Sequence, residues 1–140
     1  MEVNLIRKND AFHFQADGDS SAAVNIDANP DIGGSNLGAR PMELLLMGLG
    51  GCTAIDVILI LKKQRQFPTD IKIKVSGKRE KIEGTEMTPF KTINVHFDFS
   101  GSLSEEKIKK AIELSMDKYC SATAQLRTSA IITHSFTIHP

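Results

Sequence analysis

No sign of charge dominates this chain. Across 140 residues, 17 lysines and arginines balance 17 aspartates and glutamates, and no basic patch or tail stands out. Nucleic-acid binding needs clustered Lys and Arg to neutralise phosphates, so nucleic acid is not an expected partner. Cysteine is scarce: there are two, with no Cys-x-x-Cys pair and no Cys/His spacing of a zinc site. A disulfide framework and a zinc-built domain are therefore not expected, and no metal or other cofactor is assigned. The opening MEVNLIRKND has no apolar signal-peptide core. The expected compartment is the cytoplasm, where thiols stay reduced and two cysteines are free, metal-bound or redox-active groups rather than a structural staple. There is no internal repeat and no low-complexity tract, and the length fits a single domain over residues 1–140.

What the chain does have is a long apolar stretch, PMELLLMGLGGCTAIDVILILKKQRQ, over residues 41–66. Pro41 suits the first helical position, because its missing N–H would be unpaired there anyway. Glu43 falls in the first turn, and Lys62, Lys63 and Arg65 fall near the end, the arrangement that the helix dipole favours. Between them, Leu44–Leu61 is apolar on nearly every side, which means burial or a membrane. Its 18 residues are about the minimum for a span. Asp56 inside it argues against one, because a carboxylate near a bilayer centre costs roughly 2.5–3.5 kcal/mol. The rest of the chain is patterned as a domain that needs a core, so no membrane is expected. Gly48, Gly50 and Gly51 each cost about 1 kcal/mol in a helix relative to alanine. Close approach of another backbone would explain them.

The remainder reads in order. Val3 and Leu5, Phe12 and Phe14, then Ala22, Val24 and Ile26 alternate with polar residues, predicting a three-stranded meander. Lys8-Asn9-Asp10 and Asp17-Gly18-Asp19 supply its turns. Residues 27–40 form a loop rich in Gly, Asn, Asp and Pro that enters the central helix. Ile71, Ile73 and Val75, then Ile93, Val95, Phe97 and Phe99, predict a long hairpin. A second helix runs from about Ser104 to Tyr119, with Ser102 and Glu105 as a capping box and Ser104 as a competing cap. Another helical turn is expected over Ser121–Leu126, and a last strand around Ile132–Ile138. The order βββ–α–ββ–α–β is an α+β pattern. A single sheet covers only one side of the central helix. A second copy of the chain is the simplest cover for the rest, so a homodimer is expected, with the two central helices meeting at Gly48, Gly50 and Gly51.

Cys52 lies in that helix, and Cys120 lies at a helix end or at the start of the next turn, where exposed N–H groups would lower its pKa. Each is equally readable as a small buried hydrophobe. At 68 positions apart, they meet only if the fold brings them together. Asp56, four residues after Cys52, shares its helical face. A carboxylate in an apolar helix is costly unless paired, and a partner across the dimer is one expectation. His13, His96, His134 and His139 sit at sheet-face or tail positions and carry no assigned role.

The stretches PMELLLMGLGGCTAIDVILILKK and DKYCSATAQLRTSAIITHSF resemble the two cysteine motifs of the OsmC/Ohr family, the osmotically inducible and organic hydroperoxide resistance proteins. The PxELLL…GGCTxxD pattern is similar to that of the YhfA-like sub-branch. The resemblance covers most of the chain and implies the OsmC-like fold: antiparallel sheets packed around long central helices in an intertwined homodimer. It also implies a thiol-dependent peroxidase that reduces organic hydroperoxides in oxidative stress defence. Cys52 would be the peroxidatic thiol and Cys120 the resolving one, with a small dithiol such as a lipoyl group as reductant.

The family's activating groups match less closely. The resemblance implies an arginine held by a glutamate ten residues before the first cysteine. Ten before Cys52 is Met42, and Glu43 is one residue late, on the opposite side of the helix and ~13 Å along it. Glu43 and Arg40 are kept as candidate site residues, although dipole pairing alone accounts for Glu43 as an N-terminal helix charge, and Arg40 is also readable as an ordinary loop residue. Arg7 and Arg127 are further candidates for the cation. A second expectation follows from this departure: a dimeric small-ligand-binding or redox-sensing protein on the same scaffold, without efficient turnover.

Overall fold

The computed structural model describes all 140 residues. They form two compact units, Met1–Leu45 and Leu46–Pro140, with the boundary inside the long helix α1 (Pro41–Lys63).

The first unit is the expected meander. Strands β1 (Asn4–Arg7), β2 (Phe14–Asp17) and β3 (Val24–Ile26) pair antiparallel in that order. The predicted turn at Lys8-Asn9-Asp10 forms because Asn9 Oδ1 accepts from the N–H groups of Ala11 and His13. The alternation predicted half-buried strands, yet Leu5 and Ile6 are both exposed, so β1 has a covered face only if something else packs on it. The loop over residues 27–40 is held by one buried carboxylate. Asp27 accepts from the N–H of Ala28 with one oxygen and from those of Ser35 and Leu37 with the other. Gly34 lies so close to Ala28 that a Cβ would sit 1.8 Å from its carbonyl oxygen. Glu43 Oε2 reaches back to accept from Arg40 N–H at 3.4 Å, the reciprocal half of a capping box at the start of α1.

The second unit is built on a three-stranded sheet. Strands β4 (Asp70–Arg79) and β5 (Phe90–Ser100) form the predicted antiparallel hairpin, and β6 (Ile131–His139) pairs parallel to β5. The antiparallel character expected of the sheets therefore stops at β5, because the chain reaches β6 through helices rather than a turn. Ile93, Val95, Phe97 and Phe99 point to one face and are buried, with the Phe97 and Phe99 rings stacked at 5.9 Å. Leu49, Val57 and Leu61 from α1, and Ile108, Ala111 and Ile112 from helix α2 (Glu105–Leu114), complete this core. Ser104, not Ser102, caps α2: its Oγ accepts from Lys107 N–H, and its own N–H is held by Gln66 Oε1 at 2.7 Å.

Helix α1 is apolar on nearly every side, as its composition dictates, and long and apolar enough to cross a membrane by those measures alone. Only the stripe Leu49, Gly50, Thr53, Val57, Leu61 is buried; Leu45, Met47, Ile55, Ile58 and Leu59 are exposed. This corrects one expectation about the glycines. A Cβ on Gly50 would meet Val75 Cγ2 at 3.0 Å, so Gly50 packs on its own sheet and not on a partner helix. Gly48 and Gly51 have nothing within 4 Å of that position and belong to the uncovered face.

Candidate active site

The second helix does not end as a plain α-helix. After Leu114 it widens into one π-helical turn, Ser115–Tyr119, and the chain then turns into the short helix α3 (Ser121–Leu126). The π turn closes with Cys120 N–H donating to Ser115 O at 2.7 Å. Arg127 also donates to the Met116 carbonyl, so both ends of this segment are tied down. Such turns are frequent at functional sites, where they re-aim a side chain. Here the turn presents Cys120 as the N-cap of α3, with its Sγ accepting from Thr123 N–H at 3.3 Å.

The two cysteines, 68 positions apart in sequence, are brought together. The Sγ atoms of Cys52 and Cys120 and a carboxylate oxygen of Asp56 all lie within 4.8 Å of one another. Both thiols are free. Cys52 and Asp56 come from one face of α1, because residues four apart on a helix stack one above the other. Cys120 is buried, whereas Cys52 and Asp56 are half-buried. Burial pushes the Cys120 thiol above its ordinary pKa. The Thr123 contact pulls the other way, and the neighbouring Cys52 adds to the rise. The N–H groups expected to lower this thiol's pKa are therefore present, but desolvation outweighs them.

Asp56 has a partner within the chain: Ser115 Oγ donates to its Oδ2 at 3.1 Å. Nothing in the sequence motifs singles out Ser115. Its signal was a polar residue on the apolar stripe of the second helix, buried beside Ile108, Ala111 and Ile112. The sequence spacing gave no metal signature, yet the fold assembles two thiols and a carboxylate, a set that can hold a metal ion. A cavity of about 130 Å³ adjoins the cluster, lined by Asp56, Leu59, Ile60, Lys63 and Tyr119.

The other candidates are engaged locally. Glu43 caps α1 through Arg40 N–H, while the Arg40 guanidinium donates to Gly38 O at 3.0 Å and to Asn36 Oδ1 at 2.9 Å. Arg7 donates to the carbonyls of Asp10 and Ala11 around its turn. The histidines His96 and His139 lie on the sheet with Asp98, which is held below the usual carboxylate range chiefly by the His139 hydrogen bond.

Comparison with known proteins places this arrangement. The family model for OsmC-like proteins matches residues 33–135, both cysteines included. Protein YhfA of Escherichia coli (strain K12) is 40% identical over 99 residues, which cover 70% of this chain and 72% of that protein. The crystal structure of an OsmC-like protein from Mycoplasma pneumoniae superposes with a TM-score of 0.83 at 21% identity, covering 99% of this chain and 96% of that one. The organic hydroperoxide resistance protein OhrB of Bacillus subtilis superposes at 0.70 and 17% identity, covering 97% and 96%. These two structural likenesses show a shared α+β fold. The family match and the identity to YhfA go further: the chain belongs to the OsmC-like protein family, with YhfA among its near relatives.

Proposed function

We propose that this protein is a thiol-dependent peroxidase that reduces organic hydroperoxides in oxidative stress defence, using Cys52 and Cys120 as its redox pair. The observation that carries the reading is the meeting of the two sulfurs within 4.8 Å. Its family membership and its structural likeness to a hydroperoxide resistance protein add support.

The Cys52 thiolate attacks the outer oxygen of ROOH, the O–O bond breaks, and the alkoxide leaves as ROH after taking a proton. Cys52 is then a sulfenic acid. The Cys120 sulfur displaces its hydroxyl as water, and a disulfide forms. A disulfide needs about 2.05 Å between sulfurs, so the two sulfurs move closer together as the bond forms. A small dithiol, such as a dihydrolipoyl group, restores both thiols by exchange. Cys52 takes the first role because it is the less buried of the two, and burial pushes the Cys120 thiol above its ordinary pKa. Glu43 and Arg40 are assigned to the cap of α1 rather than to the reaction. The uncovered face of α1 supports a homodimer in which Leu45, Met47, Ile55, Ile58 and Leu59 are covered by a second copy. A cytoplasmic location, where thiols are kept reduced, goes with this reading.

The test is a peptide mass map of the reduced protein after brief treatment with stoichiometric cumene hydroperoxide. A Cys52–Cys120 disulfide, formed faster than with hydrogen peroxide and absent in Cys52→Ser, is expected. Two unreacted thiols would overturn the reading. One observation favours a second reading, a binding or redox-sensing protein: Arg127, the arginine next after Cys120, is turned to a carbonyl. Under that reading Cys52→Ser keeps ligand binding.

A further inference from the structure

We propose that Cys52, Asp56 and Cys120 form a binding site for a thiophilic divalent ion, with Zn²⁺ as its probe. The site uses the same two sulfurs as the redox pair but does not depend on peroxidase turnover.

Peroxidase chemistry leaves Asp56 unexplained. A carboxylate beside a thiol opposes formation of the thiolate, because two like charges in a half-buried place repel. Three groups that are each anionic when deprotonated stand within 4.8 Å of one another. A divalent cation at their centre turns that repulsion into attraction. Their chemistry also selects the ion. Two thiolates and one carboxylate suit Zn²⁺ and its soft congeners, whereas Mg²⁺ and Ca²⁺ require oxygen donors.

The geometry is close to what the ion demands. Zn–S distances of about 2.3 Å and Zn–O distances of about 2.0–2.2 Å place tetrahedral donors roughly 3.5–3.8 Å apart. Donors already within 4.8 Å reach that spacing with shifts of an ångström or less. Cys52 and Asp56 are preset by one turn of α1, and Cys120 is preset by the π turn that ends in its N–H bond to Ser115 O. The supporting bonds are present too. Ser115 Oγ donates to Asp56 Oδ2, and Thr123 N–H donates to Cys120 Sγ. Such bonds orient ligands and stabilise the deprotonated sulfur. A cavity of about 130 Å³ lies beside Asp56.

Binding and oxidation exclude each other. Loading the ion releases two thiol protons. Forming the disulfide spends both sulfurs and frees the ion, leaving Asp56 as the only donor. A chain oxidised by diamide is therefore its own control, with no substitution to disturb the fold.

The experiment is a Zn²⁺ titration of the reduced full-length protein against a chromophoric chelator, followed by a Co²⁺ titration. One ion per chain is expected, with thiolate-to-metal charge transfer and tetrahedral absorption for Co²⁺. Affinity should fall as pH is lowered, because protons compete for the sulfurs. Asp56→Asn should weaken binding at least tenfold, Cys52→Ser at least a hundredfold, and diamide oxidation should abolish it. Wild-type binding no tighter than that of the oxidised protein would overturn the proposal. So would an Asp56→Asn protein that folds by circular dichroism and keeps full affinity. A chain that binds Zn²⁺ but leaves hydroperoxide unconsumed would overturn the peroxidase reading alone.

Discussion

Ser115 is bonded to both halves of the site: its hydroxyl donates to Asp56 Oδ2 at 3.1 Å, and its carbonyl accepts the Cys120 N–H at 2.7 Å. One residue thus fixes the carboxylate of α1 and the backbone that carries the second thiol. Ser115→Ala keeps the carbonyl bond and removes the hydroxyl from a fully buried position. Hydrogen bonds to charged groups contribute about 1.5–3 kcal/mol, and Asp56 is only half-buried, so a loss of about 1–2 kcal/mol is expected. Urea unfolding reads this directly. An unchanged midpoint would mean that water replaces the hydroxyl without cost.

Asp27 makes a separate prediction about acid. Burial alone would raise its pKa, but the N–H groups of Leu37, Ala28 and Ser35 favour the ionised form and hold it below the usual carboxylate range. The folded chain therefore resists protonation at Asp27 more than the unfolded chain does. Its contribution is present above the unfolded value of about 3.9 and is lost as pH falls through the lower folded value. Asp27→Asn should lower the melting temperature at pH 7 by several degrees, because an amide cannot accept all three bonds. The difference between the two proteins should shrink below about pH 4. Parallel melting curves across that range would exclude this role.

These two residues show what was legible in the sequence. Strand order, the hairpin, both helices and the extra turn over Ser121–Leu126 follow from alternation and 3.6-residue patterning, which are local. The parallel pairing of β6 with β5 is not local, and no alternation distinguishes it from an antiparallel partner. Cys52 and Cys120 were visible as motif residues, but their meeting depends on the π turn at Ser115–Tyr119. One extra residue in a helical turn leaves no mark on an apolar stripe. Asp56 was visible as an anomaly in an apolar helix, and its partner was not, because Ser115 is small enough to pass as part of the stripe. Asp27 was one of several polar residues in a loop, and the N–H groups it collects come from positions up to ten residues on.

The glycines of α1 separate the chain's own packing from its covering by a second copy. Gly51 has nothing within 4 Å of a Cβ, so Gly51→Ala should leave the isolated chain intact or add up to about 1 kcal/mol of helix stability. In a dimer where two helices approach at Gly48 and Gly51, the added methyl should raise the dissociation constant at least tenfold. Gly77→Ala is the contrasting case. Its Cβ would lie 2.6 Å from the ring of the buried Phe90, a clash expected to cost about 1–3 kcal/mol. Sedimentation equilibrium beside thermal unfolding resolves the two. Equal dimer affinity for wild type and Gly51→Ala would place the covered face of α1 elsewhere.

The two thiols should also differ in how they meet an alkylating agent. Only the thiolate reacts, and Cys120 is buried with its pKa pushed up, first by burial and then by Cys52. Iodoacetamide followed by mass mapping at pH 7 should label Cys52 well before Cys120. The Cys120 rate should still be climbing with pH beyond the ordinary thiol value of about 8.5. The same shift acts on stability. A thiol whose folded pKa is raised contributes fully below the unfolded value and loses that contribution as pH rises through the folded one. Alkaline destabilisation should therefore set in above about pH 8.5 and be smaller in Cys120→Ser. Removing the neighbouring sulfur with Cys52→Ser should lower the pH at which Cys120 begins to react. If instead Cys120 labels first at neutral pH, its sulfur is the accessible nucleophile, and the order of the two cysteines in the reaction is reversed.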